Sequence, residues 1–467
     1  MKRILTNQTI KKCGEEVKLA GWVHVRRDHG KIIFVDLRDK KGLIQLVFLP
    51  ENNILYKLAS SLRSEYVIEV IGKVNKRPNK MVNDKIDTGE VEIEVKELKI
   101  LNRAETPPFE ITEENKDIKE ELRLKYRYLD LRRQKLKNNI FLRHKVIKII
   151  RDFMDRRGFI EAETPILTKS TPEGARDFLV PSRLHPGEFY ALPQAPQQLK
   201  QLLMVAGIEK YFQIARCFRD EDLRGDRQPE FTQFDVEMSF VKQSNVINLI
   251  EKLVIKIIKD LIELDDDLSK KFTFNPFLRL DYKDAIKNYG TDKPDLRKNK
   301  KDPNELAFAW IQNWPLFEWN KDEKRYDPCH HVFTSPKEED LDLLEKDPLK
   351  VRSQQYDLVL NGVEIGGGSI RIHKREIQEK IFKLVGLKDE EIEEKFGHLL
   401  KAFEYGAPPH GGIALGIDRF LMILLNEKSI REVILFPKTG DGKDLLMEAP
   451  SPVNNEQLKE LNIKISS

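Results

Sequence analysis

Alternation of apolar and polar residues dominates the first hundred positions. Val91-Glu92-Ile93-Glu94-Val95 alternates strictly, and Val17–Val25, Ile32–Leu37, Leu43–Phe48 and Tyr66–Val74 are rich in β-branched residues, as half-buried strands are. A helical stretch over about Asn53–Leu62 separates the third strand from the fourth. Five strands with one helix after the third predict an OB-fold β-barrel over residues 1–103. The pattern breaks at Thr106-Pro107-Pro108-Phe109, and the acidic run Glu110–Glu121 follows, so residues 104–136 read as a hinge. Beyond it a helical period sets in. Leu142, Val146, Ile149, Ile150 and Phe153 share one face of a helix over about Lys137–Arg157, which Gly158 ends. From there to about residue 450 strands and helices mix, which predicts an α+β body over 137–450 and a tail over 451–467.

Composition narrows the class. Charged residues at 34% against 40% hydrophobic suit a globular protein in water, and no apolar run approaches the roughly 20 residues that span a bilayer. Met1-Lys2-Arg3-Ile4-Leu5-Thr6-Asn7 has no apolar stretch of the signal-peptide kind. The cysteines Cys13, Cys217 and Cys329 are far apart, so neither a disulfide framework nor a cysteine zinc site is expected, and a reducing cytoplasm fits. Net charge is only +4, but residues 1–103 hold 21 Lys+Arg against 14 Asp+Glu. A basic front on a mildly acidic body suggests a nucleic-acid partner, although a highly charged inert surface would look the same.

Four stretches carry candidate chemistry. Gly158-Phe159-Ile160-Glu161-Ala162-Glu163-Thr164-Pro165-Ile166-Leu167 is a helix end running into a strand and a fixed proline. Phe218-Arg219-Asp220-Glu221 sets an arginine and a glutamate two apart, on one side of a strand, ahead of the charged loop Arg224–Asp235. Glu364-Ile365-Gly366-Gly367-Gly368-Ser369-Ile370-Arg371 places three glycines inside a strand pattern, which implies close approach of a ligand or another backbone. Gly411-Gly412-Ile413-Ala414-Leu415-Gly416-Ile417-Asp418-Arg419 lets a helix start against a ligand and delivers an arginine at a fixed offset. Each alone has a bland reading as a turn or a surface ion pair.

Together they resemble the three signature motifs of class II aminoacyl-tRNA synthetases, with Pro165, Arg219 and Arg419 as the motif residues. Thr171-Pro172-Glu173-Gly174-Ala175-Arg176-Asp177, Ala191-Leu192-Pro193-Gln194, Phe436-Pro437-Lys438 and Arg26-Arg27-Asp28-His29-Gly30 are similar to bacterial-type aspartyl-tRNA synthetases, and the resemblance covers nearly the whole chain. One departure is large. Such enzymes usually carry an inserted domain between Asp292-Lys293-Pro294-Asp295-Leu296-Arg297 and the strand from Trp310, where this chain has only a lysine-rich connector over 298–305.

The resemblance implies a two-step reaction: aspartate and ATP give aspartyl-adenylate, and aspartate then passes to the 3′-terminal ribose of tRNA-Asp. Joining two anions requires cations on the phosphates and a metal. The resemblance assigns Arg219 to the α-phosphate and Arg419 to the far end of ATP, with Asp220, Glu221, Gln228, Glu364, Gly416, Ile417 and Asp418 beside the nucleotide. Phe231 would stack on adenine against Arg419. If the Asn361-Gly362 turn makes a hairpin, Asp357 and Glu364 face one Mg²⁺-bound triphosphate. Arg371 and Lys200 would read the aspartate side chain. Glu173, Gln197 and Asp235 would hold its ammonium, with Arg219 and His330 near the substrate. The first motif implies a homodimer.

The front domain would read the anticodon, with Phe34 stacking, Gln45 on a base edge and Arg27 on phosphate or base. Alternation in Ile32-Ile33-Phe34-Val35 leaves open whether Phe34 points into the barrel. His29 stands where discriminating relatives carry leucine, which points to charging of tRNA-Asn as well; a loop-packing role is equally open, and a second relevant position lies near Asn83. Rivals are an asparagine or lysine synthetase, an amide-forming asparagine synthetase, and a non-catalytic paralogue. The Arg371–Lys200 pair, the basic front domain and the intact Arg219, Glu364 and Arg419 argue against them in turn.

Overall fold

The apolar alternation of the first hundred residues builds strands β1 (Glu16–His29), β2 (Ile32–Asp39), β3 (Gly42–Phe48), β4 (Val67–Lys76) and β5 (Val91–Asn102), with helix α1 (Asn53–Ser60) after the third. They close into a barrel in the order β1-β2-β3-β5-β4, with β3 and β5 parallel and the other pairs antiparallel. Closure leaves no unpaired edge. Val17, Leu19, Ile33, Val35, Leu37, Ile44, Leu46, Ile68, Val70 and Ile93 fill its interior. Because β2 alternates, Phe34 and Asp36 face outward, which answers the question the sequence left open for Phe34.

This computed structural model describes residues 1–111, 118–171, 174–223, 225–264 and 268–465. It divides into two compact units, Met1–Lys116 and Asp117–Ser467. Within the stretch read as a hinge, short helices run over Glu120–Lys125 and Arg127–Asp130. Arg127 is buried and donates to the carbonyls of Arg431, Ile434 and Leu435 and to Asp130. The three carbonyl partners lie some 300 positions away, so local patterning could not announce the helices.

The second unit is built on helix α2 (Gln134–Asp155), strand β6 (Ile160–Glu161), helix α3 (Gln197–Val205), strands β7 (Lys210–Phe218) and β8 (Glu230–Ser239), helix α4 (Gln243–Leu264), strands β9 (Leu278–Asp281), β10 (Phe308–Gln312), β11 (Gln355–Leu360), β12 (Val363–Ile370) and β13 (His410–Gly416), and helix α5 (Ile417–Leu424). Its eight-stranded sheet has the order β9-β10-β11-β12-β13-β8-β7-β6. The six inner strands pair antiparallel; the outermost strand at each edge is parallel to its neighbour, so the sheet is mixed rather than the purely antiparallel sheet that the class II resemblance implies. One face is apolar: Phe234, Val236, Tyr356, Leu358, Ile413 and Leu415 pack with Val146, Ile150 and Phe153 of α2 and Ile250, Val254 and Ile257 of α4. The alternate residues of the same strands, Asp235, Glu237 and Asp357, lie on the opposite face.

The glycine run in β12 follows the same alternation. A side-chain carbon at Gly366 or Gly368 would sit 2.7 Å from the Ala414 carbonyl or 2.3 Å from that of Gly412, so these two admit close packing of β13. Gly367 points the other way, toward Asp357, His330 and Glu364. The lysine-rich connector is a closed turn. Glu305 accepts the backbone N–H groups of Lys298 and Asn299, both at 2.8 Å, and Lys270 Nζ donates to the Pro303 carbonyl and Asn426.

Candidate active site

A cleft of about 700 Å³ opens on the polar face of the sheet. Strand β8 delivers Phe231, Gln233 and Asp235 to its wall at every second residue; α3 contributes Gln197 and Lys200, three apart on one helix face. Arg219 follows β7, Glu364 and Gly367 lie on β12, Arg371 follows that strand, and Arg419 stands in the first turn of α5.

At one end two cations meet two carboxylates, all four nearly or wholly buried. Lys200 Nζ lies 2.7 Å from Asp235 and 3.3 Å from Glu237. Arg371 grips both Glu237 oxygens, at 3.0 and 3.2 Å, and also donates to Ser369 Oγ and His331 Nε2. Burial raises carboxyl pKa values, but Arg371 and Lys200 outweigh it at Glu237, which is held below the usual range. Asp235 is pushed up by burial despite Lys200, and its Oδ2 is buried without a hydrogen-bond partner among the described residues. An unmet acceptor at the wall of a polar cleft suits a ligand's donor. His330 is driven down to about 3 by burial, then by Arg371, so it stays neutral.

At the other end Arg219 lies over the Phe231 ring, 5.1 Å from its centroid, and its buried Nε has no partner among the described residues. Arg419 donates to the Glu364 carbonyl at 2.8 Å and pairs with Asp226 at 3.3 Å. Asn361 and Gly362 both have positive φ, the β-hairpin turn that joins β11 to β12 and brings Asp357 and Glu364 together. Burial and then Glu364 drive Asp357 well up, whereas Lys293, 2.9 Å from Glu364, holds that carboxylate below its usual value against burial.

Comparison with known proteins decides the family. Residues 119–440 match the class II tRNA synthetases (D, K and N), and residues 17–101 match an OB-fold nucleic acid binding domain. The chain belongs to the class II tRNA synthetases. Relatives include the aspartate–tRNA(Asp/Asn) ligase of Syntrophomonas wolfei, 45% identical with 97% of each chain covered, and the aspartate–tRNA ligase of Staphylococcus carnosus, 44% identical with 97% of each covered. The first alignment runs over 576 positions, more than the 467 residues of this chain, so that relative carries a segment with no counterpart here. Asparaginyl-tRNA synthetase from Pyrococcus horikoshii shares the fold at a TM-score of 0.76 and 22% identity, covering 94% of this chain and 98% of its own. Aspartyl tRNA synthetase from Entamoeba histolytica does so at 0.75 and 22%, covering 94% and 91%.

In this synthetase Gln197, Lys200, Arg219, Glu221, Gln228, Phe231, Asp235, His330, Glu364, Arg371, Gly416, Asp418 and Arg419 line one cleft. Other expected residues sit differently. Asp220 is exposed away from the cleft lining, Ile417 is packed in the core, and Glu173, like Arg224, lies outside the described residues. Asp418 spends both oxygens on Arg143 and the Thr232 N–H, tying α5 to α2 and β8. The Gln228 amide is taken by the backbone of Lys438, at 3.0 and 2.7 Å. The Arg219 guanidinium lies over the Phe231 ring, and Arg419 lines the same cleft.

Sequence reasoning missed Glu237, His331 and Lys293. For Glu237 a signal existed: it stands two residues after Asp235 on a strand, hence on the same face. Among the described residues Asp357 Oδ1 is buried and unpartnered beside Glu364, two carboxylates that would suit a divalent cation, and no group of three or more His, Cys, Asp or Glu is placed to hold a metal ion.

On the outer face of the synthetase's barrel, Arg27 holds Asp36 through two bonds of 2.5 and 2.8 Å and reaches Gln45 at 3.3 Å. Gln45 donates to Glu92. Phe34 is half-buried beside Arg27 across the β1–β2 ladder, and exposed His29 meets its ring edge-on at 6.1 Å.

Proposed function

We propose that this synthetase is an aspartate–tRNA ligase: it activates L-aspartate with ATP and passes it to the 3′-terminal ribose of tRNA-Asp. The observation that carries the reading is the buried Arg371–Lys200 pair in the wall of the cleft. A guanidinium and an ammonium side by side suit a substrate with a second carboxylate better than the neutral amide of asparagine. Glu237 fixes both cations, and the free oxygen of Asp235 takes the substrate ammonium. The relatives named for aspartate support the same choice.

Arg219 and Arg419 hold the nucleotide phosphates, and Phe231 its adenine. The substrate carboxylate, already ionised at neutral pH, attacks the α-phosphorus, and pyrophosphate leaves. Asp357 and Glu364 would hold Mg²⁺, which supplies positive charge to the phosphates. No proton need be removed in this step, so catalysis is alignment and charge stabilisation.

Phe34, Gln45, Arg27 and His29 form the anticodon-reading face, and a tRNA substrate supports a cytoplasmic location. Relatives differ in name between tRNA(Asp/Asn) and a single tRNA; the polar His29 favours charging of both tRNA-Asp and tRNA-Asn. Exposed Ile160, Ile166 and Leu167 beside edge strand β6 favour a homodimer through this edge. The test is charging of purified tRNA-Asp and tRNA-Asn with aspartate. Charging of both is expected; charging of neither contradicts the ligase, and of tRNA-Asp alone the wider tRNA choice.

A further inference from the structure

Lys293 has no role in the reaction as described so far, yet it lines the cleft and pairs with Glu364 at 2.9 Å. Its backbone sits on a fixed segment. Pro294 follows it, Asp295 is clamped by Arg297 through bonds of 3.0 and 2.7 Å, and the Asp295 side chain packs under the Gly362 turn. The side chain itself remains 42% exposed and has a second, looser carboxylate neighbour in Asp292 at 3.9 Å. Glu364 is thus held twice, its carbonyl by Arg419 and its carboxylate by Lys293. Beside it the buried Oδ1 of Asp357 has no partner among the described residues.

These contacts make Lys293 the counter-charge of Glu364, the carboxylate of the two that lines the cleft. A divalent cation arriving with the nucleotide competes for the same oxygens and repels the ammonium. Polyphosphate arrives in the same step, within the same cleft, as a strong anionic acceptor. We propose that Lys293 is a displaceable counter-ion: it guards the Asp357/Glu364 pair before ATP binds and moves onto the polyphosphate when the nucleotide brings its own cation. An ammonium on a four-carbon stem suits this exchange better than a rigid fork, because it binds as a point charge and rotates freely. The proposal makes Lys293 an ATP-binding residue, and it rests on the ATP-dependent reading given above.

The experiment compares full-length wild type with Lys293→Met and Lys293→Arg in two binding assays that need no catalysis. Without nucleotide, Mn²⁺ binding is followed by electron paramagnetic resonance. With saturating magnesium, ATP binding is followed by equilibrium dialysis. Lys293→Met is expected to bind Mn²⁺ about tenfold more tightly, its competitor gone, and ATP about tenfold more weakly, its polyphosphate contact gone. Lys293→Arg, which keeps the charge, is expected to stay within roughly threefold of wild type for ATP. Unchanged Mn²⁺ binding or unchanged ATP binding in Lys293→Met overturns the proposal, as does an arginine variant as weak for ATP as the methionine one. A wild type that binds ATP but fails to activate aspartate would instead count against the ligase reading alone.

Discussion

Arg371 uses its guanidinium on three side chains at once: both oxygens of Glu237, Ser369 Oγ and His331 Nε2. A lysine there would keep the charge and lose the fork. Arg371→Lys is therefore expected to raise KM for aspartate by about ten- to a hundredfold while KM for ATP stays near wild type. Exchange kinetics check this, and equal effects on both substrates would contradict it. Motif arginines and Asp235 of β8 were legible because identity and spacing suffice to place them, whereas Glu237 two residues on was passed over. Lys293 was not legible, since its partner Glu364 lies across the fold and a lysine in a Pro-containing loop looks solvent-bound. Nor could sequence show that Gln228 would be absorbed by the Lys438 backbone.

Among the elements, the barrel strands were readable to within a few residues because a closed barrel imposes strict alternation on each strand. That alternation also puts Phe34 outside. Phe34→Ala should leave the stability of the barrel nearly unchanged and raise KM for tRNA by roughly ten- to a hundredfold, the worth of one base–aromatic stack, with aspartate-dependent exchange intact. A large fall in melting temperature would mean that the ring serves packing instead. The short helices over 120–130 escaped the sequence because their anchor, Arg127, bonds to carbonyls that a local window does not contain. Against the connector, burial lowers Lys270 to about 8 from 10.5. The unfolded chain thus binds that proton more tightly, so burial costs stability below pH 8, and the cost lifts as pH rises through 8 toward 10.5. Thermal melts of wild type against Lys270→Met should show the wild type gaining relative stability across that window; a constant difference would contradict the assignment.

Over the whole molecule, two features set the function: a mixed sheet with an apolar face against helices and a polar face lined by paired charges, and a barrel that presents an aromatic and a guanidinium side by side. The first makes a site for joining two anions; the second suits unpaired bases. Motif order along the chain made both units legible, whereas the parallel outer strands depend on a two-residue strand and a distant pairing that patterning does not reveal. The connector shows that the space between β9 and β10 closes with a turn stapled by Glu305, so the sheet is complete without a further domain. The central claim is the choice of aspartate, and it is tested most directly by ATP–pyrophosphate exchange with each amino acid in turn in the presence of magnesium. The account predicts exchange with aspartate, with asparagine and lysine at background; exchange driven by asparagine or lysine in place of aspartate would contradict it.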